Sequence, residues 1–157
     1  NKMAQTINLD TSQRVDITCR KDDTFDLSLT LKDNASTPAS VVADNDTFKM
    51  EVRTTDEGGD AYANGNATII LSTQDTDGTG DTKQIVVKDS ADFDMTSSSV
   101  GAAATDGVVR FTATAAIMAS TSAGLYVYDI EMTDNSESDK VTTLIYGTFK
   151  INEDVSV

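Results

Sequence analysis

Carboxylates are the residues of this sequence best suited to chemistry, and the group whose spacing suggests a metal site is Asp75, Asp77 and Asp81. Aspartates at alternate positions, with glycines between them, can gather the oxygen ligands that Ca²⁺ prefers. The EF-hand pattern also needs a Glu at a fixed distance further along, and none stands there. The group lies between two predicted strands, where an Asp-Gly pair commonly forms a hairpin turn. A weak calcium-site candidate therefore competes with a solvated turn.

Other groups that commonly carry out catalysis are absent from the sequence or show no arrangement typical of an active site. The chain has no His, which excludes an imidazole base, a Ser-His-Asp triad and a histidine metal ligand. Its one Cys, Cys19, alternates with Val15 and Ile17 and is interpreted as a small buried hydrophobe. Paired carboxylates can hydrolyse glycosides, but no pair is marked by an apolar surround and an aromatic platform. We predict a protein that is not an enzyme and has no cofactor; an enzyme would need a pocket with clustered carboxylates of unequal pKa.

Composition narrows the class of partner. The chain has 157 residues, 26 acidic against 12 basic, and a net charge of -14. So negative a surface repels phosphate, which argues against nucleic acid or an anionic membrane as the main partner. No stretch approaches 18 apolar residues, and residues 1–10 show no signal-peptide pattern. Asp outnumbers Glu by 21 to 5, which favours turns over helices.

The elements that must position these residues are strands, because apolar residues alternate with polar ones. Residues 24–32 place Phe25, Leu27, Leu29 and Leu31 on one face. The other strong strands are residues 47–54, 124–133 and 141–151, and the weaker ones are residues 15–19, 68–72, 84–88 and 108–113. Gly147 interrupts one strand, where we expect a bulge or a close backbone approach. The count is about eight strands, which alone leaves a sandwich or a barrel open.

The remaining segments lack this alternation. Residues 1–13 form an expected N-terminal arm, and residues 14–157 a single domain with a divergent middle at about 54–107. Within that middle, residues 54–66 and 96–107 are predicted as two irregular loops. Residues 115–121 are the one helix candidate.

Several segments carry a family resemblance. Gly124, Tyr126 and Tyr128 have the spacing of the strand after an immunoglobulin tyrosine corner, where a Tyr hydroxyl bonds upstream backbone. The wider pattern comprises residues 20–25, Leu27, Leu29, Leu31, Pro38, residues 48–53, 124–131, 143–149 and 154–155. It resembles the immunoglobulin-like domains of tailed-bacteriophage virion proteins, such as the N-terminal domain of baseplate upper proteins. The resemblance covers roughly residues 14–53 and 108–155, and it implies an all-β, immunoglobulin-like antiparallel β-sandwich of about eight strands with two irregular loops.

The resemblance implies a structural role, because that family has no catalytic residues to carry over. We expect a capsid decoration (cement) protein on the outer head surface, since the chain has no heptads for a stalk and no second domain. The alternative is a baseplate, neck or tail adaptor of the virion. A remoter alternative is a calcium- or glycan-binding surface adhesin module.

The expected partners follow from that role. They are other virion proteins, the major capsid protein or tail and baseplate proteins, with a homo-oligomer as a further option. The expected location is the virion, assembled in the host cytoplasm. We predict that residues 1–13 and the two irregular loops make the contacts, or that an edge strand pairs with a neighbour.

Overall fold

The computed structural model describes residues 2–9, 11–33, 41–54, 69–74, 84–96, 98–134 and 140–153. Within these ranges the chain forms ten strands and two short helices. The strands are β1 (Lys2–Asn8), β2 (Gln13–Arg14), β3 (Ile17–Arg20), β4 (Phe25–Lys32), β5 (Asp46–Arg53), β6 (Ile69–Ser72), β7 (Val86–Lys88), β8 (Val108–Ala113), β9 (Gly124–Asp134) and β10 (Lys140–Asn152). The helices are α1 (Ala103–Asp106) and α2 (Ala115–Ala119).

The strands form two sheets that enclose one core. Sheet I has the order β1-β4-β8-β7, and sheet II runs β10-β9-β5-β6, with β2 and β3 both paired to the outer edge of β10. The all-β sandwich predicted from the alternation is confirmed. The two orders correspond to the ABED and GFC sheets of an immunoglobulin sandwich, with β6 added beside the C strand.

The resemblance implies an antiparallel sandwich, but three of the strand pairs are parallel. β1 pairs parallel with β4, and β2 and β3 pair parallel with β10. The chain leaves sheet I after β1, runs along sheet II as β2 and β3, and returns to sheet I as β4. A strand that returns to its first sheet after one such excursion runs in its original direction, so β4 lies parallel to β1.

The predicted N-terminal arm is therefore largely a strand of the sandwich. Ile7 of β1 lies opposite Leu31 of β4 and is fully buried. The alternation of β1 is hard to recognise because Gln5 occupies a core-side position opposite Leu29. A polar residue at that position breaks the apolar repeat on which strand prediction depends.

Aromatic side chains join the two sheets at the centre of the core. Phe25 of β4 packs edge-on against Phe149 of β10, with ring centroids 5.3 Å apart. Tyr128 of β9 contacts the same Phe149 ring at 6.1 Å. Such edge-to-face pairs add to the free energy of burying the rings. Packing alone thus joins sheets that antibody domains link by a disulfide.

Residues 98–107, which belong to the irregular loop predicted at 96–107, are ordered against the core. Val100 and Ala103 are fully buried, and α1 ends at Gly107 in the left-handed conformation that glycine favours. The small residues of this segment allow its backbone to approach the sandwich closely. Of the other predicted loop, residues 55–66 lie outside the described residues.

The Asp89 carboxylate organises this ordered segment. Its Oδ1 accepts hydrogen bonds from the backbone N–H groups of Ala91 and Phe93, both at 2.9 Å, and its Oδ2 accepts one from Ala102 at 3.0 Å. Gly101 has a φ of +55°, and a Cβ there would lie 2.3 Å from Asp89 Oδ2. The turn after β7 and the approach to α1 are thus tied to one buried side chain.

Other predictions made from weak patterns are confirmed. The four weaker strands correspond to β3, β6, β7 and β8. The helix candidate is α2, whose N-cap Thr114 accepts a hydrogen bond from the Ile117 N–H. Among the described residues, no helix has the length and hydropathy to cross a bilayer.

Candidate functional site

The predicted site residues are not brought together by the described structure. Asp75, Asp77 and Asp81 lie outside the described residues. Within the described ranges, no group of three or more acidic or cysteine side chains forms a possible metal site. Cys19 is buried, as predicted, and burial raises the pKa of its thiol to about 11. The thiol is therefore protonated and unreactive at neutral pH.

The tyrosine corner implied by the resemblance is present as a hydrogen bond. The Tyr126 hydroxyl donates to the Ser122 carbonyl oxygen at 2.7 Å. Two residues further on, the buried Tyr128 hydroxyl donates to the Val15 carbonyl oxygen between β2 and β3. Gly147 meets the same carbonyl, since a Cβ there would lie 2.5 Å from it. The close backbone approach predicted at Gly147 is thus confirmed, and it seats β2 and β3 against β10.

The outer face of sheet II carries one row of registered polar side chains. Arg14 of β2 lies opposite Tyr146 of β10, and Tyr146 lies opposite Asp129 of β9. Asp129 in turn lies opposite Glu51 of β5. We call Arg14, Tyr146, Asp129 and Glu51 the cross-strand row. Residues directly opposite each other on adjacent strands have Cβ atoms about 5 Å apart, so neighbours in the row interact.

Glu51 is the anchored end of the cross-strand row. Its side chain is only 3% exposed. Arg53 Nη2 lies 3.2 Å from both of its carboxylate oxygens, and Lys49 Nζ lies 3.3 Å from Oε1. Lys49 also reaches Glu131 Oε2 at 3.6 Å. A carboxylate so buried and so contacted holds the sheet face together and has little room for a ligand.

Asp129, at the centre of the row, differs from Glu51. Among the described residues, no hydrogen-bond donor and no cation lies within bonding distance of its carboxylate. Burial raises the pKa of Asp129, and the nearby charges of Glu131 and Glu51 raise it further, against the opposing influence of Lys49 and Arg53. Its charge is thus incompletely compensated at neutral pH, which makes it an acceptor ready for an external donor.

Apolar side chains also lie on the same outer face of sheet II. Leu125, Val141 and Tyr146 are 67%, 56% and 44% exposed, although the surface of the chain is strongly acidic. Tyr146, together with the rest of the cross-strand row, Val127 and Thr148, lines a cavity of about 500 Å³, while Leu125 and Val141 lie further along the strands on either side of it. Among the described residues, the other exposed large hydrophobic side chain is Phe93, on the turn after β7. Exposed apolar side chains beside a polar cavity are typical of a binding surface.

The two carboxylates that line the cavity differ in availability. Glu51 is engaged by Arg53 and Lys49, whereas Asp129 has no such partner among the described residues. Two-carboxylate chemistry needs both groups free to contact the substrate. Sequence reasoning missed this surface because it followed the core-facing positions of β9. The signal lay at the alternate positions, where Leu125 and Val127 point outward from a strand already apolar on its inner side.

Comparison with protein-family models and with curated proteins finds no match for this chain.

Proposed function

We propose that this chain is a non-enzymatic structural protein of a tailed-bacteriophage virion, namely a capsid decoration protein that binds the outer head surface. The proposal combines the family resemblance with one observation of the structure. That observation is the presence of three exposed apolar side chains, Leu125, Val141 and Tyr146, on the outer face of sheet II, where strands hold them in place. Apolar side chains held outward on the strands of an acidic protein support a role in protein–protein contact.

The contact surface proposed here differs from the one expected from the sequence. Residues 1–13 were expected to reach a partner, yet β1 within them packs on the core. Residues 98–107 are likewise bound to the sandwich through Asp89. We therefore assign the primary contact to the outer face of sheet II. The major capsid protein is the proposed partner, and a tail, neck or baseplate protein is the alternative, because the same surface could serve an adaptor.

Electron microscopy of labelled particles tests this function. An epitope-tagged copy of the chain would be produced during infection, and purified particles would be labelled with antibody. Label spread over the head lattice supports decoration. Label confined to the tail, neck or baseplate replaces decoration with the adaptor role, and unlabelled particles overturn the virion assignment.

A pair of variants then tests the surface. Leu125→Ser removes an exposed apolar side chain from sheet II, and Phe93→Ser removes one from the turn after β7. We expect Leu125→Ser to lower the number of labels per particle by more than half, because burying a Leu side chain in an interface contributes about 1.5–3 kcal/mol. Phe93→Ser is the matched control and should retain the wild-type number. Equal losses in both variants would contradict the assignment to sheet II.

A further inference from the structure

We infer that the cavity on the outer face of sheet II is a binding site for an arginine side chain of a partner protein. The guanidinium would lie between the Tyr146 ring and the Asp129 carboxylate. The inference rests on the proposed function only in that the ligand belongs to a protein. It holds equally for a capsid, tail or any other protein partner.

The pairing of charges at the site favours a cationic ligand. The charged residues that line the cavity are Arg14, Arg53, Glu51 and Asp129. Both cations are held by other carboxylates, because Arg53 Nη2 contacts Glu51 and Arg14 Nε lies 3.2 Å from Asp16 Oδ1. Asp129 is thus the lining carboxylate that has no donor of its own among the described residues.

The shape of the site favours a guanidinium over an ammonium. Tyr146 and Asp129 are registered neighbours on β10 and β9, so an aromatic face and a carboxylate flank the same space. A planar guanidinium can stack on a ring and donate two parallel hydrogen bonds to one carboxylate, whereas an ammonium acts as a point charge. Val127, at the cavity wall, supplies apolar contact for the methylene groups of the ligand.

Binding of a small arginine analogue tests the site on the whole protein. The probe is N-acetyl-arginine methylamide, followed by ¹⁵N–¹H correlation NMR. We expect the amide signals of Asp129, Tyr146 and Val127 to shift and to saturate with a Kd of about 1–10 mM, since one side chain supplies little binding energy. The matched probe is N-acetyl-citrulline methylamide, which keeps the shape and lacks the charge, and it should produce no saturating shifts.

Two variants test whether Asp129 is the residue that binds the arginine probe. Asp129→Asn removes the acceptor charge and should weaken arginine binding about fivefold, the effect of losing one partly exposed ion pair. Asp94→Asn removes a charge of the same sign from an exposed residue of the turn after β7 and should leave the Kd unchanged. The dispersion of the variant spectra shows directly that both remain folded.

Several results would overturn the inference. Equal shifts with the citrulline probe would remove the role of charge, and shifts spread over the acidic surface would remove the site. An unchanged Kd in Asp129→Asn would dismiss the proposed acceptor. Shifts induced by neutral monosaccharides and not by the arginine probe would make the cavity a glycan site. None of these results affects where label lies on a virion, so the site and the proposed function can fail separately.

Discussion

The outer face of each sheet has a central charged residue. Among the described residues, the one on sheet I has partners within bonding distance and the one on sheet II has none. On sheet I the central group is a cation, Arg110 of β8, and its partners surround it. Arg110 Nη2 lies 2.7 Å from Asp26 Oδ2, and its Nη1 lies 3.1 Å from Asp92 Oδ1 and donates to the Asp89 carbonyl oxygen at 3.4 Å. On sheet II the central group is the anion Asp129, which has no donor within bonding distance among the described residues.

The difference separates structural charges from available ones. Arg110 uses its donors on side chains and backbone of its own fold, and hydrogen bonding to Asp26 raises its pKa further. The depression around it has a volume of about 350 Å³, and each charged residue that lines it has a partner of opposite charge. In a chain with 26 acidic residues, proximity of carboxylates is uninformative. The number of donors that each carboxylate already has is what distinguishes a binding group.

The largest effect on the free energy of unfolding is expected on sheet I, where the central charge is paired. Arg110→Met should lower the free energy of unfolding by about 3 kcal/mol, because it leaves the buried Asp26 carboxylate without its partner. Urea unfolding at pH 7 measures the change. The control is Arg14→Met, whose side chain is 61% exposed and which should change stability by less than about 0.5 kcal/mol. Similar values for both variants would show that the Arg110 network is not structural.

Asp89→Asn tests a second paired charge, a carboxylate whose partners are backbone N–H groups. Burial raises the pKa of Asp89, but its three backbone donors and the charge of Arg110 outweigh burial, so the net pKa lies below the usual value. We expect a loss of about 2 kcal/mol at pH 7, because an amide cannot accept all three hydrogen bonds. A depressed native pKa gives stability that is complete above the unfolded pKa of about 3.9 and is lost as the pH falls through the native pKa. Unfolding curves between pH 7 and pH 3 should show the variant losing less stability on acidification than the wild type.

Tyr126→Phe tests whether sheet II depends on its inner tyrosines more than on its outer charges. The variant deletes the hydroxyl that donates to Ser122 and keeps the ring. We expect a loss of about 1 kcal/mol, the usual contribution of one such hydrogen bond, measured by urea unfolding. A change near zero would mean that the corner is formed by packing of the ring alone.

Asp129→Asn should have the smallest effect and the opposite sign. Because the native pKa of Asp129 is raised, its charged form opposes folding at neutral pH, and the variant should gain about 0.5 kcal/mol at pH 7. This gain should vanish as the pH falls through the native pKa, where the wild-type carboxyl becomes protonated. Parallel unfolding curves at pH 7 and pH 4 measure it. A loss of stability at pH 7 would make Asp129 structural and would erase the contrast between the two faces.

The strands that could be predicted are those whose inner positions are all apolar. β4, with Phe25, Leu27, Leu29 and Leu31 facing the core, is unambiguous from sequence. β1 could not be recognised, because Gln5 breaks its apolar repeat and its pairing with β4 is non-local. The order of residues 98–107 was also hidden, since it depends on hydrogen bonds to the side chain of Asp89, which local composition does not reveal.

The candidate site could not be predicted from the sequence, for a related reason. Its residues come from β2, β5, β9 and β10 and meet only through the register of four strands. Alternation shows that Asp129 and Tyr146 point outward, but it does not show that they are neighbours. It also cannot distinguish Asp129 from Glu51, because that difference lies in the cations that reach Glu51 from its own strand.

The parallel pairing of β3 with β10 also has a mechanical consequence. Phe149 through Asn152 lie in register with Ile17 through Arg20, and both strands run the same way. A tension that pulls β3 by its start and β10 by its finish acts along the strands, so their interstrand hydrogen bonds are loaded in shear and must rupture together. An antiparallel hairpin pulled at its two open ends would instead unzip one bond at a time. Along this axis β3 and β10 therefore resist separation as one unit rather than bond by bond.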